Sequence, residues 1–214
     1  MSDTYLTIQA PAEGEFKDRG SRFLAYTWPV ASEQDIQHCL ELLRKEHFKA
    51  RHHCYAWRLG RDGNQFRAND DGEPSGTAGR PILAQIDAAQ LTDILIVVVR
   101  YFGGTLLGTS GLIHAYRESA IEALRAATVR EVILHDTIRI HTDYGLMPDL
   151  VQAIHQLGIS IQQEQFDDRA HIDIAIRQRD TTQKLLQLKA KVWKVSTEEA
   201  ETIGWPAGIS LEDT

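Results

Sequence analysis

The sequence predicts an α+β fold in two units, and three observations predict it. Residues 94–99 are six consecutive apolar side chains, the pattern of a strand buried on both faces. Helical stripes of apolar residues recur on either side of that run. From Leu134 onward, the order strand, helix, strand, strand, helix, strand is the ferredoxin-like βαββαβ arrangement.

Each element has its own signal. Residues 13–19 and 22–30 are strand-like. Ser32 can cap a helix over residues 33–48, with Ile36, Leu40, Leu43 and His47 on one face and Cys39 beside it. Residues 53–59 read as a strand, with Cys54 and Ala56 on one side and Tyr55, Trp57 and Leu59 on the other. Residues 60–64 form a turn, and residues 65–68 return. A polar glycine-rich loop spans residues 69–79, and a short helix lies near residues 82–89. Residues 94–99 should be the central strand. Leu112, Tyr116, Ala120, Ala123, Leu124 and Ala127 form the buried stripe of the next helix.

In the second unit, Ile138 and Ile140 alternate with Arg139 and His141 as a strand. Residues 147–157 are a helix, with Leu150, Val151, Ile154 and Leu157 inward, and Gly158 can stop it. Residues 159–166 and 171–177 are strands around an Asp167-Asp168 turn. Residues 181–189 are a helix, and residues 192–197 are the final strand. The expected domains are residues 1–133, residues 134–200 and a loosely ordered tail, 201–214, where Trp205 can dock.

Bulk properties bound the function. The chain has 214 residues, 43% apolar and 25% charged, which fits a globular protein rather than a disordered one. No apolar run approaches the ~20 residues of a membrane span. The first residues lack a signal-peptide pattern, and Cys39 and Cys54 give neither a disulfide framework nor a zinc spacing. The expectation is a cytoplasmic protein with no membrane contact, no cofactor and no metal. Net charge is −7. Residues 130–214 carry 9 Lys+Arg against 14 Asp+Glu, or −5, and residues 1–129 carry 14 against 16, or −2. Any polyanion must therefore meet a local basic patch.

Three clusters carry candidate chemistry. Residues 49–58, KARHHCYAWR, mix cations, imidazoles and aromatics, and Arg51, His52, His53 and Arg58 are candidate phosphate contacts. A plain charged strand entry has the same composition. Residues 69–81, NDDGEPSGTAGRP, place Asp70, Asp71 and Glu73 within four positions, with Arg80 following. Such carboxylates suit a metal or acid–base work, and the sequence equally suits a turn with Thr77 capping the next helix. Residues 100–111, RYFGGTLLGTSG, join the central strand to a helix start. Arg100, Gly103, Gly104, Thr105, Gly108, Thr109, Ser110 and Gly111 form a candidate anion cradle, because small residues admit a ligand to free N–H groups. The same glycines also serve close packing. No P-loop, dinucleotide fingerprint, nucleophile elbow or sequence-specific DNA-binding motif is present.

The stretches ARHHCYAW at 50–57, DDGEPSGTAGRPIL at 70–83 and VVVRYFGGTLLGTSGLIHAY at 97–116 together resemble the Impact/YigZ family, and the length fits its bacterial YigZ-like branch. The resemblance implies an N-terminal domain with the ribosomal-protein S5 domain 2-like fold and a ferredoxin-like C-terminal domain. It also implies a link to translation, since eukaryotic relatives regulate it by competing for an activator of an initiation-factor kinase. It transfers no catalytic residue.

Three functions compete. The leading one is a translation-associated protein binding RNA or the ribosome, with Arg51, Arg58, Arg80 and Arg100 on phosphates and Tyr55, Trp57, Tyr101 or Phe102 stacking on bases. The second is an enzyme for an anionic small molecule, with Asp70, Asp71, Glu73, His52 and His53 facing the glycine cradle and metal held by the carboxylates. The third is a protein–protein regulatory adaptor. The sequence leaves the oligomeric state open.

Overall fold

Strand formation in the first half follows the apolar pattern. The computed structural model describes residues 3–166 and 170–213. The chain divides into one unit spanning Thr4–Val132 and another holding Asp3 with Ile133 onward. The first unit runs β1 (Thr4–Ile8), β2 (Ala12–Asp18), β3 (Ser21–Pro29), α1 (Glu33–Glu46), β4 (His52–Leu59), β5 (Gln65–Asn69), α2 (Gly79–Ala88), β6 (Ile94–Tyr101), α3 (Gly108–Ala126) and β7 (Val129–Ile133).

Strands β2 to β6 form a five-stranded antiparallel sheet in the order β2-β3-β6-β4-β5. β6 is central, as its doubly apolar pattern requires, and every side chain from Ile94 to Val99 is fully buried. One face presents Ile94, Ile96 and Val98 to Ile82 and Ile86 of α2 and Leu112, Tyr116 and Ala120 of α3. The other presents Leu95, Val97 and Val99 to Ile36, Leu40 and Leu43 of α1. A one-residue slip of β6 would exchange these two sets, so the register is held firmly. That register sets His52 opposite Arg100.

Helix α1 begins where expected: the Ser32 hydroxyl accepts the Asp35 N–H at 3.2 Å, and the Asp35 carboxylate accepts the Ala31 N–H at 3.0 Å. The β1–β7 pair is absent from the sequence-based expectation. Its burial does not alternate, since Thr7 and Ile8 are both buried and β7 is largely exposed, so neither strand shows period two.

The second unit contains β8 (His135–Thr142), α4 (Met147–Gln156), β9 (Ser160–Phe166), β10 (Ala170–Arg177), α5 (Thr181–Trp193), α6 (Thr197–Thr202) and β11 (Ile209–Asp213). Its sheet order, β11-β8-β10-β9, is that of a ferredoxin-like fold, with Ile138, Ile140, Ile172 and Ile174 packed against Leu150, Ile154 and Leu188. Gly158, at φ +61°, ends α4 as expected. The Asp167-Asp168 turn lies outside the described residues.

Two expectations are corrected here. Residues 192–197 are not the fourth strand: Val192 continues the Leu185–Leu188 stripe of α5, Lys194 takes a left-handed conformation, and Ser196 with Glu199 forms a capping box that opens α6. The described part of the expected tail, residues 201–213, is not loose either. Ile209–Asp213 supplies the fourth strand, with Leu211 opposite Ile140. Among the described residues no helix is long and apolar enough to cross a membrane.

Candidate anion-binding cavity

The site grows from the end of the sheet where the chain enters β4 and leaves β6. Lys49, Arg51 and His52 from the first side, and Arg100, Tyr101, Phe102 and Leu106 from the second, line one cavity of about 610 Å³. That volume falls within the roughly 300–1,000 Å³ of small-ligand sites. Lys49, Arg51, Phe102 and Leu106 are exposed, His52 and Tyr101 half-buried and Arg100 buried.

Buried Arg100 is held from below. Its Nη1 donates to Glu73 Oε1 at 2.5 Å, and the same oxygen accepts the Tyr116 hydroxyl at 2.8 Å. The guanidinium lies 5.4 Å from the Phe23 ring centroid and 5.7 Å from that of Phe102. Its Nε has no hydrogen-bond partner. The Cys54 thiol donates to the Asp70 carbonyl at 3.0 Å and lies 3.3 Å from the Tyr116 oxygen. Burial pushes both the Cys54 thiol and the Tyr116 phenol above their ordinary values, so neither is an activated nucleophile.

The carboxylates expected to do chemistry instead build the loop. Asp70 accepts the N–H groups of Gly76, Ala78 and Gly79 at 2.8, 3.0 and 2.8 Å, and so caps α2 from a distance. Thr77 does not cap it; its hydroxyl donates to the Pro74 carbonyl at 2.6 Å. Asp71, at φ +40°, accepts the His53 N–H at 2.7 Å and Arg44 Nη2 at 3.3 Å. Glu73 is buried under Arg100. Among the described residues no group of three or more His, Cys, Asp or Glu side chains is placed to share a metal ion.

The two imidazoles differ. His53 is buried, and its Nε2 has no partner. His52 Nδ1 lies 2.8 Å from the Asp71 carbonyl, which can only accept. Nδ1 therefore carries the hydrogen, and Nε2 of the neutral ring is an acceptor. Acid should act on two of these groups. Burial holds the His53 pKa below its ordinary 6.5, more than Asp71 raises it. Burial would raise the Asp70 pKa, but its three backbone N–H bonds together hold it below 3.8. In both cases the unfolded chain binds more protons, so stability falls with pH. The loss begins below about pH 6.5 for His53 and below about pH 4 for Asp70. Urea midpoints between pH 7.5 and pH 3 check this. His53→Gln is expected to flatten the upper window alone, and an unchanged decline there would remove His53 as its cause.

The glycine cradle serves more than one purpose. Gly103 packs so tightly on Gly20 that a Cβ would collide with its backbone, and its N–H donates to the Ser21 hydroxyl at 3.1 Å. Gly104 and Gly108 take φ +90° and +72° and face open space. Gly111 is half-buried, and a Cβ there would meet Leu107 at 3.0 Å. No side chain caps the start of α3, and Thr105, Thr109 and Ser110 beside it are exposed. Its first N–H groups thus favour an anion.

Four expected contacts are placed elsewhere. Arg58 pairs with Ile94 rather than Arg100, six positions or roughly 20 Å along the strand from His52. There its Nη2 bonds Asp87 at 2.6 Å. Arg80 is exposed on the first turn of α2 and does not line the cavity. Tyr55 and Trp57 are 6% and 7% exposed beneath α1, so they cannot stack on a base. His47, expected on the inward face of α1, lies 2.9 Å from the Tyr101 hydroxyl and 2.8 Å from that of Tyr26 and so fixes one cavity wall. Nothing in a lone helix-end histidine signals that role.

Residues 19–124 match the Impact N-terminal domain. The Impact family member YvyE of Bacillus subtilis is 32% identical over 181 residues, covering 85% of this chain and 83% of that protein. The family member YigZ of Escherichia coli is 41% identical over 130 residues, covering 60% and 64%. A crystal structure of a hypothetical protein superposes with a TM-score of 0.70 at 28% identity, covering 99% of this chain and 97% of that one. Because YvyE is more than 30% identical and spans most of both chains, the protein belongs to the Impact family.

Proposed function

We propose that this chain is a cytoplasmic, translation-associated binding protein that contacts RNA through the first-unit cavity. The observation that carries this reading is the convergence of Lys49, Arg51 and Arg100 with exposed Phe102 beside the uncapped start of α3. Cations neutralise phosphates, and an aromatic face stacks on any base. Phe102 is 56% exposed, enough to offer one ring face. The resemblance to translation-linked relatives supports the same reading. The enzyme alternative loses its acid–base pair, because Asp70, Asp71 and Glu73 are committed to hydrogen bonds within the fold.

The test is binding of purified chain to ribosomes and to a single-stranded oligoribonucleotide at several salt concentrations. Affinity is expected to fall steeply with salt. The Lys49→Ala/Arg51→Ala variant should lower the log–log slope by about 1.4, at about 0.7 per lost phosphate contact. No binding at low salt, or a slope indifferent to both cations, would remove the reading.

A further inference from the structure

The cavity's hydrogen-bonding inventory is unbalanced, and the imbalance says what kind of strand it takes. Lys49, Arg51 and Arg100 supply only donors. The Tyr101 hydroxyl shares one hydrogen bond with His47 and keeps a free lone pair, and Phe102 and Leu106 offer no polar side-chain atom. Besides that hydroxyl, the side-chain acceptor open to a ligand is His52 Nε2, held in that tautomer by the bond from Nδ1 to the Asp71 carbonyl. Arg100 is 93% buried yet lines the cavity, so its charge meets a ligand where little water competes.

A nucleic-acid strand brings phosphate oxygens, which match the donors. A DNA backbone brings nothing that matches His52, because all its polar atoms are acceptors. RNA adds one backbone donor, the 2′-hydroxyl, whatever the base. We propose that the cavity holds a ribonucleotide unit of single-stranded RNA. Its 2′-hydroxyl donates to His52 Nε2, its phosphates meet Lys49, Arg51 and Arg100, and its base lies on Phe102. His52 is then the residue that separates RNA from DNA. This inference rests on the RNA-binding reading above.

Fluorescence anisotropy with the full chain tests it, using labelled eight-nucleotide single strands of one sequence in ribo, 2′-deoxy and 2′-O-methyl form. The ribo strand is expected to bind about threefold to tenfold more tightly than the other two, the worth of one neutral hydrogen bond. In His52→Ala the ribo and deoxy affinities should converge while both strands still bind through the cations. The 2′-O-methyl strand probes the wild-type protein directly, so the result stands even where His52→Ala fails to fold. Equal affinity of the wild type for all three strands overturns the 2′-hydroxyl contact and leaves RNA binding in place. Binding of none of them overturns both. A folded His52→Ala that keeps the full preference for RNA overturns the role of His52.

Discussion

Glu73→Ala is expected to destabilise the first unit by about 3–5 kcal/mol, the usual cost of stripping one partner from a buried ion pair. The side chains of Arg100 and Glu73 retain 8% and 4% of their exposure, so little water can replace what is lost. The substitution orphans the guanidinium, whose Nε is already unpartnered, and takes the acceptor from the Tyr116 hydroxyl as well. Two unsatisfied buried donors then add to the uncompensated charge. Glu73→Gln keeps an oxygen in place and should cost less. The decisive comparison is a double-mutant cycle. Removing both partners in Glu73→Leu/Arg100→Met leaves no buried charge, so its loss should fall short of the sum of Glu73→Leu and Arg100→Met alone by about 2 kcal/mol. Urea unfolding measures all four proteins. Additive losses within about 0.5 kcal/mol would show that the pair is not coupled.

The same pair shows what a sequence reveals of a site and what it withholds. Residues 94–99 announced a central strand because both faces are apolar. The motif residues Arg51, His52, Arg100 and Gly103 stood out because strand ends and glycine turns concentrate unusual chemistry. Partnership is a different matter. Glu73 lies 27 positions from Arg100 and 43 from Tyr116, and no local pattern separates a buried carboxylate from a solvated one. Asp70 looked like a ligand for the same reason, yet its oxygens are consumed by three backbone N–H groups a few residues downstream. Arg58 is close to Arg51 in sequence, yet an extended strand carries residues seven apart to opposite ends of a sheet.

The fourth strand of the second unit was misplaced because Val192, Val195 and Thr197 have strand-like branching while the segment 209–213, ISLED, ends in charge. Tertiary packing decided otherwise: Ile209 is buried and Leu211 packs on the same core. The practical consequence is a large truncation effect where the sequence suggested none. Ending the chain at Ala207 removes β11 and turns β8 into an edge strand. It takes Ile209 and Leu211 out of the core and deletes the bond from the Asp143 N–H to the Gly208 carbonyl. At about 1.5–3 kcal/mol for the lost burial of each aliphatic side chain, the second unit should lose about 3–5 kcal/mol. Gly208→Val is the point version, because Gly208 holds φ +97° and a Cβ there would collide with the Asp143 carboxylate. Hydrogen exchange separates the units. Amides of β8 and β10 should exchange far faster in both variants, while those of β6, which belongs to the other unit, keep their protection. Unchanged protection in β8 after truncation would mean that residues 208–214 contribute nothing to the sheet, and that the ferredoxin-like unit is complete with three strands.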